Sequence, residues 1–223
     1  MVALRAFVER YTRLAPVPLV PEVSIFSASA LSPLWVDSQS LLGAIDAGPP
    51  FCAFPWAGGQ ALARHVLDHP ELVLGKVVLD FASGSGLCAI AAKRAGAARV
   101  VATDIDPLAA EAIRLNAEHA GLDVEIALGD LVAGALDEVA PEVVLAGDTF
   151  YEKEPAQRFD RWLRSLAEQG MRVLVGDPGR AYLPRGFLPV ATYDVPVLFE
   201  VESQEQRRVV IYEITSPAAG FPP

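Results

Sequence analysis

Four carboxylates at regular intervals, Asp80, Asp104, Asp130 and Asp148, each follow a short apolar run, and between the first two lies the turn Ala82-Ser83-Gly84-Ser85-Gly86. The run Val77-Val78-Leu79 reads as a buried strand, and Leu87-Cys88-Ala89-Ile90-Ala91-Ala92 after the turn has helical spacing. A strand, a small-residue turn and a helix present backbone N–H groups and a positive helix end to a ligand. Glycine at 84 and 86 lets the turn close tightly and a ligand approach the backbone. The next apolar run, Arg99 to Thr103, ends in Asp104, and a carboxylate at that strand tip suits the two hydroxyls of a ribose. The chemistry indicated is binding of a nucleoside-containing cofactor.

Two cofactors compete on these residues. Gly84-x-Gly86-x-x-Ala89 with Asp104 twenty residues beyond Gly84 fits the dinucleotide fingerprint, which would make the chain a NAD-dependent oxidoreductase. S-adenosylmethionine (SAM) fits better: Asp80 precedes the glycines, where it can face the cofactor's ammonium group and would repel a pyrophosphate. With Asp104-Ile105-Asp106-Pro107 and the Asn116 helix added, the chain resembles the class I SAM-dependent methyltransferases. That family carries glycine where Ala82 stands here.

Alternating strands and helices imply right-handed crossovers and a parallel sheet. Strands are predicted near 76–81, 99–103, 124–128, 142–147 and 171–176, with helices near 86–96, 107–120 and 155–169. Past Pro189, the runs Tyr193–Val201 and Arg207–Ile214 read as a C-terminal hairpin. The expected fold is therefore α/β, a Rossmann-like, mostly parallel sheet flanked by helices and closed by that hairpin. Residues 1–50 are expected to form an N-terminal extension: an amphipathic helix over 1–14, then a proline-punctuated extended segment with a strand at Glu22–Phe26. The domain proper is expected over 51–223, with the C-terminal Pro217–Pro223 frayed.

Ligands in such sheets sit at the carboxyl ends of the strands. Gly129-Asp130 can offer a carboxylate to the adenine amino group. Trp56, with Gly58-Gly59 at the start of a predicted helix, is a candidate lid over the cofactor. Asp148-x-Phe150-Tyr151 ends the fourth strand but lacks the two prolines of adenine methyltransferases, which argues against that substrate class. Asp177-Pro178-Gly179-Arg180 reads as an ordinary turn.

With these segments the likeness narrows. Trp56-x-Gly58-Gly59-Gln60-Ala61-Leu62, the runs Gly75–Asp80 and Ala89–Lys93, Asp104-Ile105-Asp106-Pro107, Gly147-Asp148-x-Phe150-Tyr151 and Gly176-Asp177-Pro178-Gly179-Arg180 occur in order. Over roughly residues 54–186 the chain is similar to the seven-β-strand protein lysine methyltransferases, among them the electron transfer flavoprotein β-subunit lysine methyltransferases. The resemblance implies trimethylation of lysines on that subunit, with a ribosomal protein as a further possible substrate of bacterial relatives. The chemistry is in-line displacement at a sulfonium methyl carbon by a neutral amine. Lysine titrates near pH 10.4, so the site must favour proton loss. Asp148 is expected to orient the substrate ammonium, which would also be the positive partner that its burial demands. Phe150 and Tyr151 are expected to line an aromatic channel for methylated ammonium. A methyltransferase acting on another protein or a small molecule, and a non-catalytic SAM-binding protein, remain alternatives.

The bulk numbers are compatible. The 223 residues carry a net charge of −10, which disfavours nucleic acid as a partner and favours a basic, lysine-bearing one. No run is long and apolar enough to span a bilayer, and a monomer is favoured. Three lysines against fifteen arginines, with abundant alanine, suggest a GC-rich bacterial genome and a cytoplasmic protein, or the mitochondrial matrix in a eukaryote. His65, His69 and His119 show no metal-ligand spacing, and Cys52 and Cys88 are expected to be buried, inert thiols.

Overall fold

The computed structural model describes residues 2–28, 50–134 and 139–215. Its centre is a seven-stranded sheet built from β3 (Val77–Phe81), β4 (Arg99–Asp104), β5 (Glu125–Leu128), β6 (Val143–Gly147), β7 (Arg172–Asp177), β8 (Leu188–Pro196) and β9 (Gln206–Ile214). The spatial order is β5-β4-β3-β6-β7-β9-β8. The first five strands pair in parallel, and β9 runs antiparallel between β7 and β8. The order reverses between β3 and β6, which opens a crevice at their carboxyl ends.

Alternate residues of each central strand face opposite layers, as the period of two requires. Val78, Val100, Val143, Leu145 and Leu174 pack with α2 (Ala57–Asp68) and α3 (Leu87–Arg94). Leu79, Val101, Val144, Val173 and Val175 pack with Leu163 and Leu166 of α5 (Lys153–Glu168) on the other side. Burial on both faces is why these strands read as continuous apolar runs. Helix α4 (Pro107–Ala120) starts with Asp106 accepting from Leu108 N–H at 2.8 Å and ends at Gly121 in the left-handed conformation.

The N-terminal segment contains more than its sequence suggests. Helix α1 (Val2–Tyr11) is followed by an antiparallel hairpin, β1 (Arg13–Val17) and β2 (Val20–Ser27). The helical spacing running on through Leu14 hides β1, and proline at 16 removes the usual strand signal. The hairpin shares the main core through Val17, Val20, Val23 and Ile25, while Phe7 and Val8 pack with Leu108, Ala112 and Leu115. Buried Asn116 fixes the attachment: its amide oxygen accepts from Phe26 N–H at 2.7 Å and its nitrogen donates to Ser85 C=O at 2.8 Å. The rest of the expected extended segment, 29–34, and the 217–223 tail lie outside the described residues.

At the other end of the chain, the first strand of the expected hairpin is displaced. It runs 188–196 instead of 193–201, and a short helix, α6 (Phe199–Glu202), occupies part of the connection. Glu202 belongs to an ion network that holds α6 over the strand ends, an arrangement local propensity does not encode.

Helix α2 meets the sheet backbone to backbone. A Cβ on Gly58 would lie 2.2 Å from Gly176 C=O, and one on Gly147 would lie 2.9 Å from the Gly59 Cα. Glycines 58, 147 and 176 are therefore required by packing, independent of any ligand. Gly58→Ala should lower unfolding stability by about 3 kcal/mol, because the contacting atoms are backbone and cannot yield. Urea denaturation of the purified variant measures this, and an unchanged midpoint would contradict the packing described.

Candidate active site

The turn after β3 is held from both sides. Ser83 N–H donates to Thr103 C=O at 2.9 Å, and Gly84 and Gly86 take positive φ of 55° and 81°. Ala82 also has positive φ, 51°, a strain of about 1 kcal/mol for an L-residue. This is where the resembled family has glycine.

Asp104 and Ile105 sit at the neighbouring strand tip. The Asp104 carboxylate accepts from Gly84 N–H at 2.9 Å and from Asp106 N–H at 3.0 Å, one bond per oxygen. A carboxylate has acceptor capacity beyond these bonds. Ile105 is 74% exposed, an apolar surface suited to the face of a flat ring. Asp130, beyond β5, is exposed and paired with Arg158 at 2.6 Å.

Asp80 ties the turn to the helix that follows it. It is buried, and its Oδ2 accepts from Ser83 Oγ at 2.5 Å and from Ala89 N–H at 2.9 Å, so it braces the turn and the start of α3. Burial pushes its carboxyl up to about 7, against the two hydrogen bonds.

Asp148 is the most connected group. It follows β6 with a positive φ of 55° and is buried. Its Oδ2 accepts from the amides of Gly58 and Gly59 at the start of α2, the latter at 3.2 Å. Its Oδ1 accepts from Arg180 Nε at 3.0 Å and Nη2 at 2.7 Å. These four bonds use the lone-pair sites of a carboxylate. The positive partner is Arg180, not a substrate amine, which corrects the reading from sequence. Burial raises the Asp148 carboxyl to about 6, with Arg180 and its hydrogen bonds opposing.

Arg180 then pairs with Glu202 at 2.8 Å, and Glu202 with Arg207 at 3.1 Å. The turn that delivers Arg180 is built by Asp177, whose Oδ1 accepts from Gly179 and Arg180 N–H at 2.7 Å each. The guanidinium also lies over the Trp56 ring, 5.7 Å from its centroid. Nothing local marks Arg180 as a site residue; the signal was its place in an Asp-Pro-Gly-Arg turn after a parallel strand.

The aromatics divide. Phe150 is completely buried in the core and lines no channel, a second correction. Tyr151 is 48% exposed and packs on Phe51, ring centroids 5.7 Å apart. Phe51, missed by sequence reasoning, also meets Trp56 at 5.9 Å. Trp56 does not lie free as a lid: its Nε1–H donates to Phe51 C=O at 2.8 Å, at the N-cap of α2. Cys52 and Cys88 are buried, as expected, with thiols pushed up by burial.

Comparison with known proteins accords with this geometry. The sequence model of a family described as ribosomal protein L11 methyltransferase (PrmA) matches residues 62–147. The electron transfer flavoprotein beta subunit lysine methyltransferase of Homo sapiens is 35% identical over 222 residues, 99% of this chain and 82% of that protein. The Xenopus laevis protein of the same name is 37% identical over 198 residues, 86% of this chain and 78% of that one. The chain belongs to this methyltransferase family. It is a SAM-dependent enzyme.

The fold of the methyltransferase is also that of the magnesium protoporphyrin IX methyltransferase from Synechocystis with bound SAH. The TM-score is 0.52 at 15% identity, covering 71% of this chain and 81% of that one. The residues present suit SAM: the acceptor capacity of Asp104, an exposed Ile105 beside it, and a glycine turn.

Two outcomes follow from the buried carboxylates. Asp148→Asn leaves Arg180 and Glu202 unbalanced and should cost about 3 kcal/mol of stability, part of which Asp148→Asn with Arg180→Met restores. Chemical denaturation of both variants tests this; an Asp148→Asn protein as stable as wild type would contradict the network. Asp80 holds its proton in the folded state to about pH 7 but in the unfolded chain only to the ordinary carboxylate range. Folding therefore takes up a proton between those limits, so stability falls as pH rises from the ordinary carboxylate range to about 7, by at most about 1.4 kcal/mol per pH unit, and Asp80 adds no further change above that. Melting curves should show this decline between pH 5 and 7, and Asp80→Asn should reduce it there.

Proposed function

We propose that this enzyme transfers methyl groups from SAM to lysine side chains of the electron transfer flavoprotein β subunit. The observation that carries the reading is identity of 35–37% across most of the chain to methyltransferases named for that substrate. The net charge of −10 suits a partner surface that presents lysines.

In this reading Asp104 takes the ribose hydroxyls, Ile105 covers the adenine, Asp130 stands where the adenine amino group would lie, and the Gly84–Gly86 turn receives the backbone of the cofactor's amino-acid end. SAM supplies an electrophilic methyl group on a sulfonium. The protein's own part is to orient the amine and to favour its neutral form. Asp148 has no lone pair left to accept the lysine proton, so its role is to hold Arg180, Trp56 and the start of α2 in place. The nearby guanidinium disfavours a second cation, which lowers the lysine's affinity for its proton. The proton leaves to water.

The test is transfer of labelled methyl groups from SAM to the purified flavoprotein subunit, followed by intact-protein mass spectrometry. Stepwise methyl additions at lysine are expected. Ribosomal protein L11, suggested by the family matched over residues 62–147, is the comparison substrate. No labelling of the flavoprotein, with labelling of the ribosomal protein, would replace the first substrate with the second. Asp104→Ala should weaken SAM binding by about 1–3 kcal/mol through lost charge-assisted bonds; unchanged calorimetric affinity would remove Asp104 from the ribose role.

A further inference from the structure

Beside the Asp148 network stands a continuous row of three rings. Phe51 lies between Tyr151 and Trp56, with centroid separations of 5.7 and 5.9 Å and interplanar angles of 59° and 63°. Phe51 is 36% exposed and Tyr151 48%, unusual for large rings in contact with one another. Each is anchored from below. Phe51 opens the short helical turn Phe51–Ala53, whose Cys52 and Ala53 are buried, with Ala53 C=O accepting from Ala28 N–H at 2.8 Å. Tyr151 follows the fully buried Phe150, whose carbonyl accepts from Tyr182 N–H at 3.2 Å. Trp56 is fixed by its bond to Phe51 C=O.

One ring of the wall already faces a cation: the Arg180 guanidinium, itself paired with Asp148 and Glu202, lies over Trp56, and Phe51 and Tyr151 are the exposed rings beside it. Tyr151 lies shortly past the end of β6, the strand whose tip carries Asp148.

We propose that Phe51, with Tyr151 and Trp56, forms the surface that receives methylated forms of the substrate lysine, and that Phe51 thereby governs how many methyl groups are added. This deepens the proposed function and rests on it. Each added methyl removes an N–H donor, so a mono- or dimethylated amine gains less from carboxylates or water and relatively more from ring faces. Asp148 offers no competing lone pair. In every round the amine lone pair forms an N–C bond to the methyl carbon as the C–S bond breaks. Its electrons remain on sulfur, giving S-adenosylhomocysteine, and the new ammonium must lose a proton before the next round with fresh SAM. Retention of the partly methylated amine against the wall between rounds is what Phe51 supplies.

Phe51→Leu keeps bulk and apolar character but removes the ring, and Phe51→Trp restores one. With wild-type enzyme and the flavoprotein subunit, mass spectra should show higher methylation states. Phe51→Leu should slow the later additions about tenfold relative to the first, so that monomethyl-lysine accumulates, and Phe51→Trp should reverse this. A Phe51→Leu enzyme with the wild-type product distribution at equal conversion would overturn the proposal. A second readout needs neither turnover nor substrate identity: tetramethylammonium should quench the Trp56 fluorescence, identified by its loss in Trp56→Phe. Quenching should be about tenfold weaker in Phe51→Leu. Equal quenching in wild type and Phe51→Leu would overturn the wall even if the flavoprotein is methylated. Absence of methylation with ring-dependent quenching would instead remove only the substrate.

Discussion

The carboxylate of Asp148 joins three parts of the chain through one buried group. It accepts from the first amides of α2, where the helix dipole is positive, and from the guanidinium of Arg180 beyond β7. Through Arg180 it reaches Glu202 of α6 and then Arg207 of β9. A buried carboxylate without such donors would be strongly unfavourable, and a half-buried arginine without its carboxylates would be so to a lesser degree. Each group is tolerable only because the others are in place. The strand tips, the start of α2 and the C-terminal hairpin are thereby fixed relative to one another.

That constraint explains the glycines. The helix start can reach Asp148 only if α2 lies directly on the ends of β6 and β7, and side chains at 58, 147 or 176 would hold them apart. Close backbone contact places Trp56 at the α2 N-cap, where Arg180 covers its ring and Phe51 receives its N–H. The aromatic wall and the ion network are thus two sides of one assembly. Asp80 and Asp104 form a comparable but smaller brace across the crevice. One ties the glycine turn to α3, and the other ties it to the tip of β4.

For methyl transfer to an amine, the arrangement divides the work between electrostatics and shape. The ionic network is internally paired, so it provides orientation and a local positive group without a free base. On the proposed reading, the rings offer a face to a cation whose hydrogen-bonding capacity falls with each methyl group. Asn116 extends the same rigidity outward, linking the cofactor turn at Ser85 to the N-terminal hairpin at Phe26. The hairpin shares the core of the domain it adjoins.

The alternation of apolar runs and helical spacing determined the parallel sheet, because strands buried on both faces must be apolar throughout. The same patterning determined the glycine turn and the carboxylates at the strand tips. These features are local, each decided within a dozen residues of chain. The sequence did not determine what those carboxylates touch. Asp80 accepts from Ala89 N–H because α3 begins against the end of β3. Phe150 and Tyr151 are adjacent, yet one packs in the core with Phe187 and Leu163 while the other stands at the rim beside Phe51. The partnership of Asp148 with Arg180 spans thirty-two residues, and that of Phe51 with Tyr151 spans a hundred. Such pairs depend on long-range packing, where desolvation makes a buried charge find the nearest opposite one, and only the tertiary structure decides which that is.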